Sequence, residues 1–254
     1  MHKQFSVITI NYNNLKGLQR TFNSVAGQTG REHVEFIVVD GGSTDGSAEF
    51  LRSRETHIDT VLIEKDKGIY DAMNKGLKAA TGRYVWFVNS GDAIHDIQVA
   101  EQLLPMAVKS PDVIFGDTMF IDQDGNELGL ISRLKPQPLP EKLGPGSFRY
   151  GMCVCHQSFL VRRELAPLYN LKYKQAADID WILQILRLKP RSMRSAFVLA
   201  DFETGGSSYQ HEKKAWKERF AVLSHHYGWI SNIVAHMWII TRRILFNLKL
   251  WKPA

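Results

Sequence analysis

Two apolar runs that each close on an aspartate predict an α/β protein with a mostly parallel central sheet flanked by helices. Phe36-Ile37-Val38-Val39 stops at Asp40-Gly41-Gly42-Ser43-Thr44-Asp45-Gly46, and Tyr84-Val85-Trp86-Phe87-Val88 stops at Asn89-Ser90-Gly91-Asp92. β-Branched and aromatic runs without polar alternation belong to strands buried on both faces, the habit of parallel sheets. Such sheets bind ligands beyond the carboxyl ends of their strands, so both carboxylates are expected at the functional edge. Alternation of these runs with helical stretches points to right-handed βαβ units.

The elements follow in order. Phe5-Ser6-Val7-Ile8-Thr9-Ile10 forms the first strand and leads through Asn11-Tyr12-Asn13-Asn14 into a helix over about residues 15–28. The second strand, residues 35–39, ends at Asp40, with a helix over about 47–54 and a short strand at 60–63. The loop from Glu64 then opens a helix closing near Ala80, with Gly82 past its end. Val113-Ile114-Phe115-Gly116-Asp117 is a further strand ending in aspartate, followed by a hairpin turning at Asp122-Gln123-Asp124-Gly125-Asn126. Four prolines make residues 135–146 a loop, expected over the site. Strand character resumes at 156–161, and Asp178-Ile179-Asp180-Trp181 opens a helix to about Leu188. The expected division is a main domain over 1–208, with a nucleotide-binding half at 1–95 and a second half at 96–208, and a helical tail at 209–254.

With 44% apolar residues, 254 residues suffice for one sizeable core. Cys153 and Cys155 are two apart, pointing one way if in a strand, but no second pair completes a zinc site; a reduced, cytoplasmic setting is expected. The amino terminus runs directly into a strand, leaving no room for a signal peptide's apolar region. The net charge of +6 resides wholly in the tail, where Lys213, Lys214, Lys217, Arg219, Arg242, Arg243, Lys249 and Lys252 face Glu212 and Glu218. Trp216, Trp229, Trp238 and Trp251 lie there too, among Ile, Leu, Val and Met, which suits an anionic membrane surface rather than nucleic acid.

Asp40 can accept hydrogen bonds from a nucleobase N–H or a ribose hydroxyl; the alternative makes Asp40 and Asp45 turn and helix-cap residues. Asp92 can hold a divalent cation together with a diphosphate, or cap a helix. Between them Lys65, Lys67 and Tyr70 can reach a base or phosphate, Lys65 being the one expected in solvent. Asp178 and Asp180 lie about 200° apart on a helix, so one faces the cleft as a general base while the other caps the helix. His156 either binds a leaving phosphate or is a satisfied core histidine.

With those residues in place, the chain resembles the family 2 inverting glycosyltransferases of the Rossmann-like GT-A fold, in particular those of bacterial exopolysaccharide assembly such as colanic acid. The resemblance is carried by Ser6-Val7-Ile8-Thr9-Ile10-Asn11-Tyr12-Asn13, by residues 38–46 around Asp40, by Glu64-Lys65-Asp66-Lys67-Gly68-Ile69-Tyr70-Asp71-Ala72-Met73-Asn74-Lys75-Gly76, by Asn89-Ser90-Gly91-Asp92, by His156-Gln157-Ser158 and by Ala177-Asp178. It implies a nucleotide-sugar donor, UDP by family habit, seated on Thr9, Asn11, Asp40, Lys67, Tyr70, Asn74, Ser90 and Gly91. The family's Asp-x-Asp element, which binds Mn²⁺ or Mg²⁺, keeps only Asp92. The catalytic base falls on Asp178, with Ala177 in place of the family's glutamate, and His156, Gln157 and Asp180 stand as phosphate or acceptor candidates. Gln184-Ile185-Leu186-Arg187-Leu188 is similar to the Gln-x-x-Arg-Trp of processive synthases but ends in Leu, which argues against processive synthesis.

In the tail, Ile230, Ile233, Val234, Met237, Trp238, Thr241, Ile244, Leu245 and Leu248 recur at the spacing of one helical face. Arg242 and Arg243 interrupt it before the roughly 20 apolar residues of a membrane span. An interfacial helix is expected, on the cytoplasmic face of the inner membrane, with a polyprenyl-diphosphate-linked saccharide as acceptor; a helix packed on the core or on a second subunit is the alternative. Two rival functions are a membrane-docked scaffold without catalysis and a sugar nucleotidyltransferase, though the latter's Gly-rich basic loop is not seen near the amino terminus.

Overall fold

The computed structural model describes residues 3–205 and 212–250. Tyr209, Trp251 and Lys252, which the sequence assigns to the tail, lie outside them. Seven strands form the main sheet: β1 (Phe5–Asn11), β2 (Val34–Asp40), β3 (Thr60–Ile63), β4 (Tyr84–Phe87), β6 (Val113–Phe115), β9 (Phe159–Arg162) and β10 (Ser192–Arg194), in the order β10-β6-β9-β4-β1-β2-β3. Every residue of β1 and β2 is buried, as their unalternating composition requires. Successive residues serve opposite layers. Ile8, Ile10 and Phe87 join one core with α3 (Ile69–Ala79) and α6 (Ala177–Arg187), while Phe5, Val7 and Trp86 join the other with α1 (Leu15–Ala26) and α4 (Val99–Val108).

The sheet is mostly parallel, as expected, with one reversal that matters. β9 runs antiparallel between β4 and β6, with Val85 opposite Val161. Its first residue therefore lies at the carboxyl end of β4. The turn His156–Ser158 just before β9, a single 3-10 turn where the sequence suggests strand, is delivered to the same edge as Asn89–Asp92. A second sheet, β5 (Ala93–Ile94), β11 (Ala200–Glu203), β7 (Thr118–Ile121) and β8 (Glu127–Leu130), covers that edge, and β7 and β8 form the expected hairpin.

Other expectations give way. The proline-bearing loop is anchored to the fold: Leu139 and Leu143 enter the core, and the Leu143 N–H donates to Ser192 Oγ (2.9 Å) on edge strand β10. Cys153 and Cys155 are buried free thiols in an irregular segment, not a strand. The tail is two helices, α7 (Glu212–Tyr227) and α8 (Trp229–Asn247), separated at Gly228, whose φ of 86° a side chain would resist. Val222 and Leu223 of α7 are part of the main core, so this helix is no appendage. On α8, polar Asn232 and Arg242 face inward with Ala235, and Ile230 (75% exposed), Val234, Met237, Ile244 and Leu248 face outward. The apolar stripe therefore does not pack on this chain's own core. Among the described residues no helix is long and apolar enough to cross a membrane.

Candidate active site

β1 and β2 are in register from Phe5↔Val34 to Asn11↔Asp40, so the side chains that end them meet. Asn11 Nδ2 donates to Asp40 Oδ2 at 2.7 Å. Asp40, fully buried, also accepts from the Gly42 N–H, the Ser43 N–H and the Ser43 hydroxyl, at 3.0, 2.8 and 2.7 Å. Four donors fill a carboxylate's four lone-pair positions. Here Asp40 performs the turn role weighed above, and the acceptor left without a partner beside it is Asn11 Oδ1, also buried. Asp45 likewise takes its capping role, accepting from the Leu15 and Ser47 N–H groups at the starts of two helices. The Thr9 hydroxyl is committed to the Val88 carbonyl (2.7 Å), tying β1 to β4.

The second loop is as tightly held. Ser90 bonds the Asn14 carbonyl (3.2 Å). Gly91, at φ 103°, turns the chain; its N–H donates to Thr21 Oγ1, and a Cβ there would lie 3.1 Å from Glu203 Oε2. Asp92 does not cap a helix. Its Oδ2 accepts from Gln157 Nε2 (2.9 Å) and its Oδ1 from the Glu203 N–H (3.0 Å). Burial raises its pKa to about 7, against those hydrogen bonds. Glu203 is paired with Arg20, and both were invisible to sequence reasoning because they join this loop from residues 20 and 203.

On a cation, the donor set decides. No group of three or more His, Cys, Asp or Glu able to hold a metal exists among the described residues, so the protein offers no closed cage. Each Asp92 oxygen has one protein donor and a remaining lone pair, and in the same turn Asn89 Oδ1 is buried with no partner. Two hard oxygen donors, one charged, suit Mg²⁺ or Mn²⁺, ions that take most of their shell from phosphates and water.

Asp178 lies across the site, half-buried at the start of α6. The Tyr70 hydroxyl donates to its Oδ1 at 3.1 Å. Tyr70 stacks on Tyr169, which stacks on Trp181 with centroids 5.0 Å apart. Asn74, a donor-site candidate from sequence, instead clasps the Tyr169 backbone through both its amide atoms, at 3.0 and 2.7 Å. His156 belongs to this aromatic group: it bonds the Tyr169 hydroxyl at 2.6 Å and contacts Phe87 and Trp181, and burial lowers its pKa to about 4. It is the satisfied core histidine, neutral at pH 7. The structure brings Asp178, Tyr70 and His156 together but leaves Lys65 and Lys67 exposed. Neither Asp178 nor Asp180 caps α6, which starts without a side-chain cap. Asp180 bonds His226 Nε2 of the tail (2.7 Å) and Gln184 Nε2 of its own helix (2.8 Å), which occupy its oxygens. Arg219 of α7 comes within electrostatic reach of Asp178, a proximity that no local pattern signals.

A mostly parallel sheet with acidic loops at its carboxyl edge and helices on both faces is an α/β fold of the GT-A type. The chain belongs to glycosyl transferase family 2, whose model matches residues 6–166. It is 33% identical over 258 residues to an uncharacterized glycosyltransferase of Mycobacterium tuberculosis, an alignment covering 97% of this chain and 94% of the relative. Among solved structures it is similar to S. aureus TarS 1-349 in complex with UDP-GlcNAc (TM-score 0.68, 19% identity, 96% of this chain and 73% of that one). It is also similar to the mannosyltransferase PcManGT from Pyrobaculum calidifontis in complex with GDP-Man and Mn²⁺ (TM-score 0.61, 15% identity, 98% and 75%).

Proposed function

We propose that the chain is an inverting glycosyltransferase that moves a sugar from a nucleoside diphosphate, UDP by preference, to a hydroxyl of a polyprenyl-diphosphate-linked saccharide in cell-surface polysaccharide assembly. The observation that carries this reading is Asp178, a half-buried carboxylate oriented by the Tyr70 hydroxyl across from the Asp40 and Asp92 loops. As the acceptor oxygen attacks the anomeric carbon, Asp178 takes its proton, and the bond to the departing diphosphate breaks in the same in-line step, which inverts the centre. Gln157 and the Glu203 amide fix the Asp92 carboxylate, and Asn89 Oδ1, buried without a partner in the same turn, is a candidate second donor. A divalent cation held there would offset the charge of the leaving diphosphate. Asn11 Oδ1, unpaired and buried, is positioned to accept an N–H of the base.

The ligands of the two structural neighbours, UDP-GlcNAc and GDP-Man with Mn²⁺, support a nucleoside diphosphate sugar and a divalent ion. The outward apolar stripe of α8, on a basic tail, supports docking at the cytoplasmic face of an anionic membrane. Thermal unfolding with UDP, GDP, CMP and TDP, each with Mn²⁺ or chelator, is the test, since a ligand of the native state raises its stability. A cation-dependent rise with one nucleotide is expected, and no rise with any of them refutes the reading.

A further inference from the structure

Asp178 makes one side-chain hydrogen bond, to the Tyr70 hydroxyl, so its place across from the Asp40 and Asp92 loops depends on how the backbone around it is held. α6 does not supply that hold, because it starts without a side-chain cap. The hold comes from α7, which grips the chain on both sides of Asp178. Ahead of it, Glu218 Oε2 accepts the Lys174 and Gln175 N–H groups, each at 2.7 Å. Behind it, His226 Nε2 bonds Asp180 Oδ1 at 2.7 Å, with only 2% and 4% of the two side chains exposed. Ile179, between the two aspartates, shares the core with Val222 and Leu223, which lie between Glu218 and His226 on α7.

The Asp180–His226 pair says most about the purpose of this grip. Gln184 Nε2 occupies the second Asp180 oxygen (2.8 Å), and His226 Nδ1 is buried without a partner, so the ring spends its hydrogen bonding on Asp180 alone. Apolar side chains in place of a buried pair of this kind often cost no stability, whereas loss of one partner is strongly destabilising. What the pair adds over an apolar contact is geometry, since a single register of α7 against α6 satisfies both groups. At the far end of α6, Arg187 Nη2 closes the same joint on the His226 carbonyl at 3.1 Å. A backbone gripped at residues 174–175 and at 180 leaves residue 178 little freedom. That matters for a base, because a misplacement of about 1 Å can cost up to about a hundredfold in rate.

We propose that Glu218 and His226 are positioning residues, which hold the turn at 174–180 so that the Asp178 carboxylate meets the Tyr70 hydroxyl and the acceptor. This rests on the transferase reading, because it gives α7 a task in turnover only if Asp178 is the base.

The test measures nucleoside diphosphate release from UDP-glucose, UDP-GlcNAc and GDP-mannose with Mn²⁺ on the full chain, per nucleotide-binding site counted by calorimetry with UDP or GDP. His226→Leu and Glu218→Ala are expected to lower kcat about tenfold with the donor KM unchanged. His226→Gln and Glu218→Gln, which keep a donor and an acceptor at those places, are expected to restore it to within about threefold. In an Asp178→Asn background the same truncations should cost nothing further. A fall by the same factor in that background would make the two residues merely structural and overturn the proposal, as would glutamine variants as slow as the truncations, or a raised donor KM. Crystal structures of His226→Leu and Glu218→Ala give a readout without turnover: the Tyr70–Asp178 hydrogen bond, 3.1 Å in the wild type, should lengthen beyond bonding range. An unchanged bond in both variants would overturn the proposal whatever the rates. A wild-type chain that releases no nucleotide from any of the three donors sinks the transferase reading, while the variant structures still decide whether α7 holds residue 178. If His226→Leu fails to fold, the Glu218 variants carry the test, because Glu218 is only partly buried.

Discussion

The two sides of the cleft are built on opposite electrostatic plans. At the sheet edge Asp40 has four internal donors and Asp92 two, so these carboxylates are bound into their own loops. On the tail side Asp178 has the single Tyr70 hydroxyl, and Arg219, its Nε buried without a hydrogen-bond partner, lies within electrostatic reach of it. A loop that satisfies itself holds its shape without ligand and presents a few fixed acceptors such as Asn11 Oδ1 and Asn89 Oδ1. Groups left unsatisfied hold free energy that a ligand or a moving proton can release. The contrast teaches that, on the proposed function, the sheet edge would position the donor while Asp178 on the tail side would react.

The largest effect that would break this contrast is in Asp178→Asn. Turnover should fall about a thousandfold, the range of a lost general base, while nucleotide binding by thermal shift stays the same. A parallel loss of nucleotide affinity would place Asp178 in the donor site instead.

Next comes acid stability. His156 is buried and neutral with a pKa of about 4 against 6.5 when unfolded, so the unfolded chain binds the extra proton first, and stability is lost as pH falls from about 6.5 to about 4. The full difference is about 3 kcal/mol. Asp92 runs the other way: its folded pKa is raised, so its contribution declines as pH rises from about 4 to about 7. The two oppose each other in wild type. Denaturant unfolding should therefore show His156→Gln gaining on wild type by about 3 kcal/mol between pH 6.5 and 4, and parallel curves would remove His156 from the core role.

The smallest effect is the sharpest about roles. Tyr70→Phe removes one hydrogen bond to Asp178 and should lower kcat by about threefold to tenfold with KM for the donor unchanged. A raised KM with kcat intact would return Tyr70 to the nucleotide site, where the sequence had put it.

What was legible in the sequence was what short-range chemistry controls. Unalternating β-branched and aromatic runs can be only buried strands, and a turn must follow where Gly, Asn and Asp cluster, so the sheet edge and its acidic loops were open to reading. Register then made Asn11 and Asp40 neighbours, which is a property of pairing and not of either segment. Tyr70 with Asp178 and Asn74 with Tyr169 are 108 and 95 residues apart, and no periodicity encodes such meetings. The tail shows the same divide. Its amphipathic period was in the sequence, but a helical wheel does not say which face turns inward. That was decided by partners: Arg242 reaches the Tyr150 carbonyl and Asn232 reaches Phe220 and Ser224, so the polar side is held to the protein and the apolar side is left outside. The sequence by itself determined the elements, the acidic loops and the charge of the tail, because each follows from local preference and composition. Only the tertiary structure decided which acid stays half-exposed, which histidine is neutral and which cation comes within reach of Asp178, because desolvation and pairing depend on what distant segments bring to the same place.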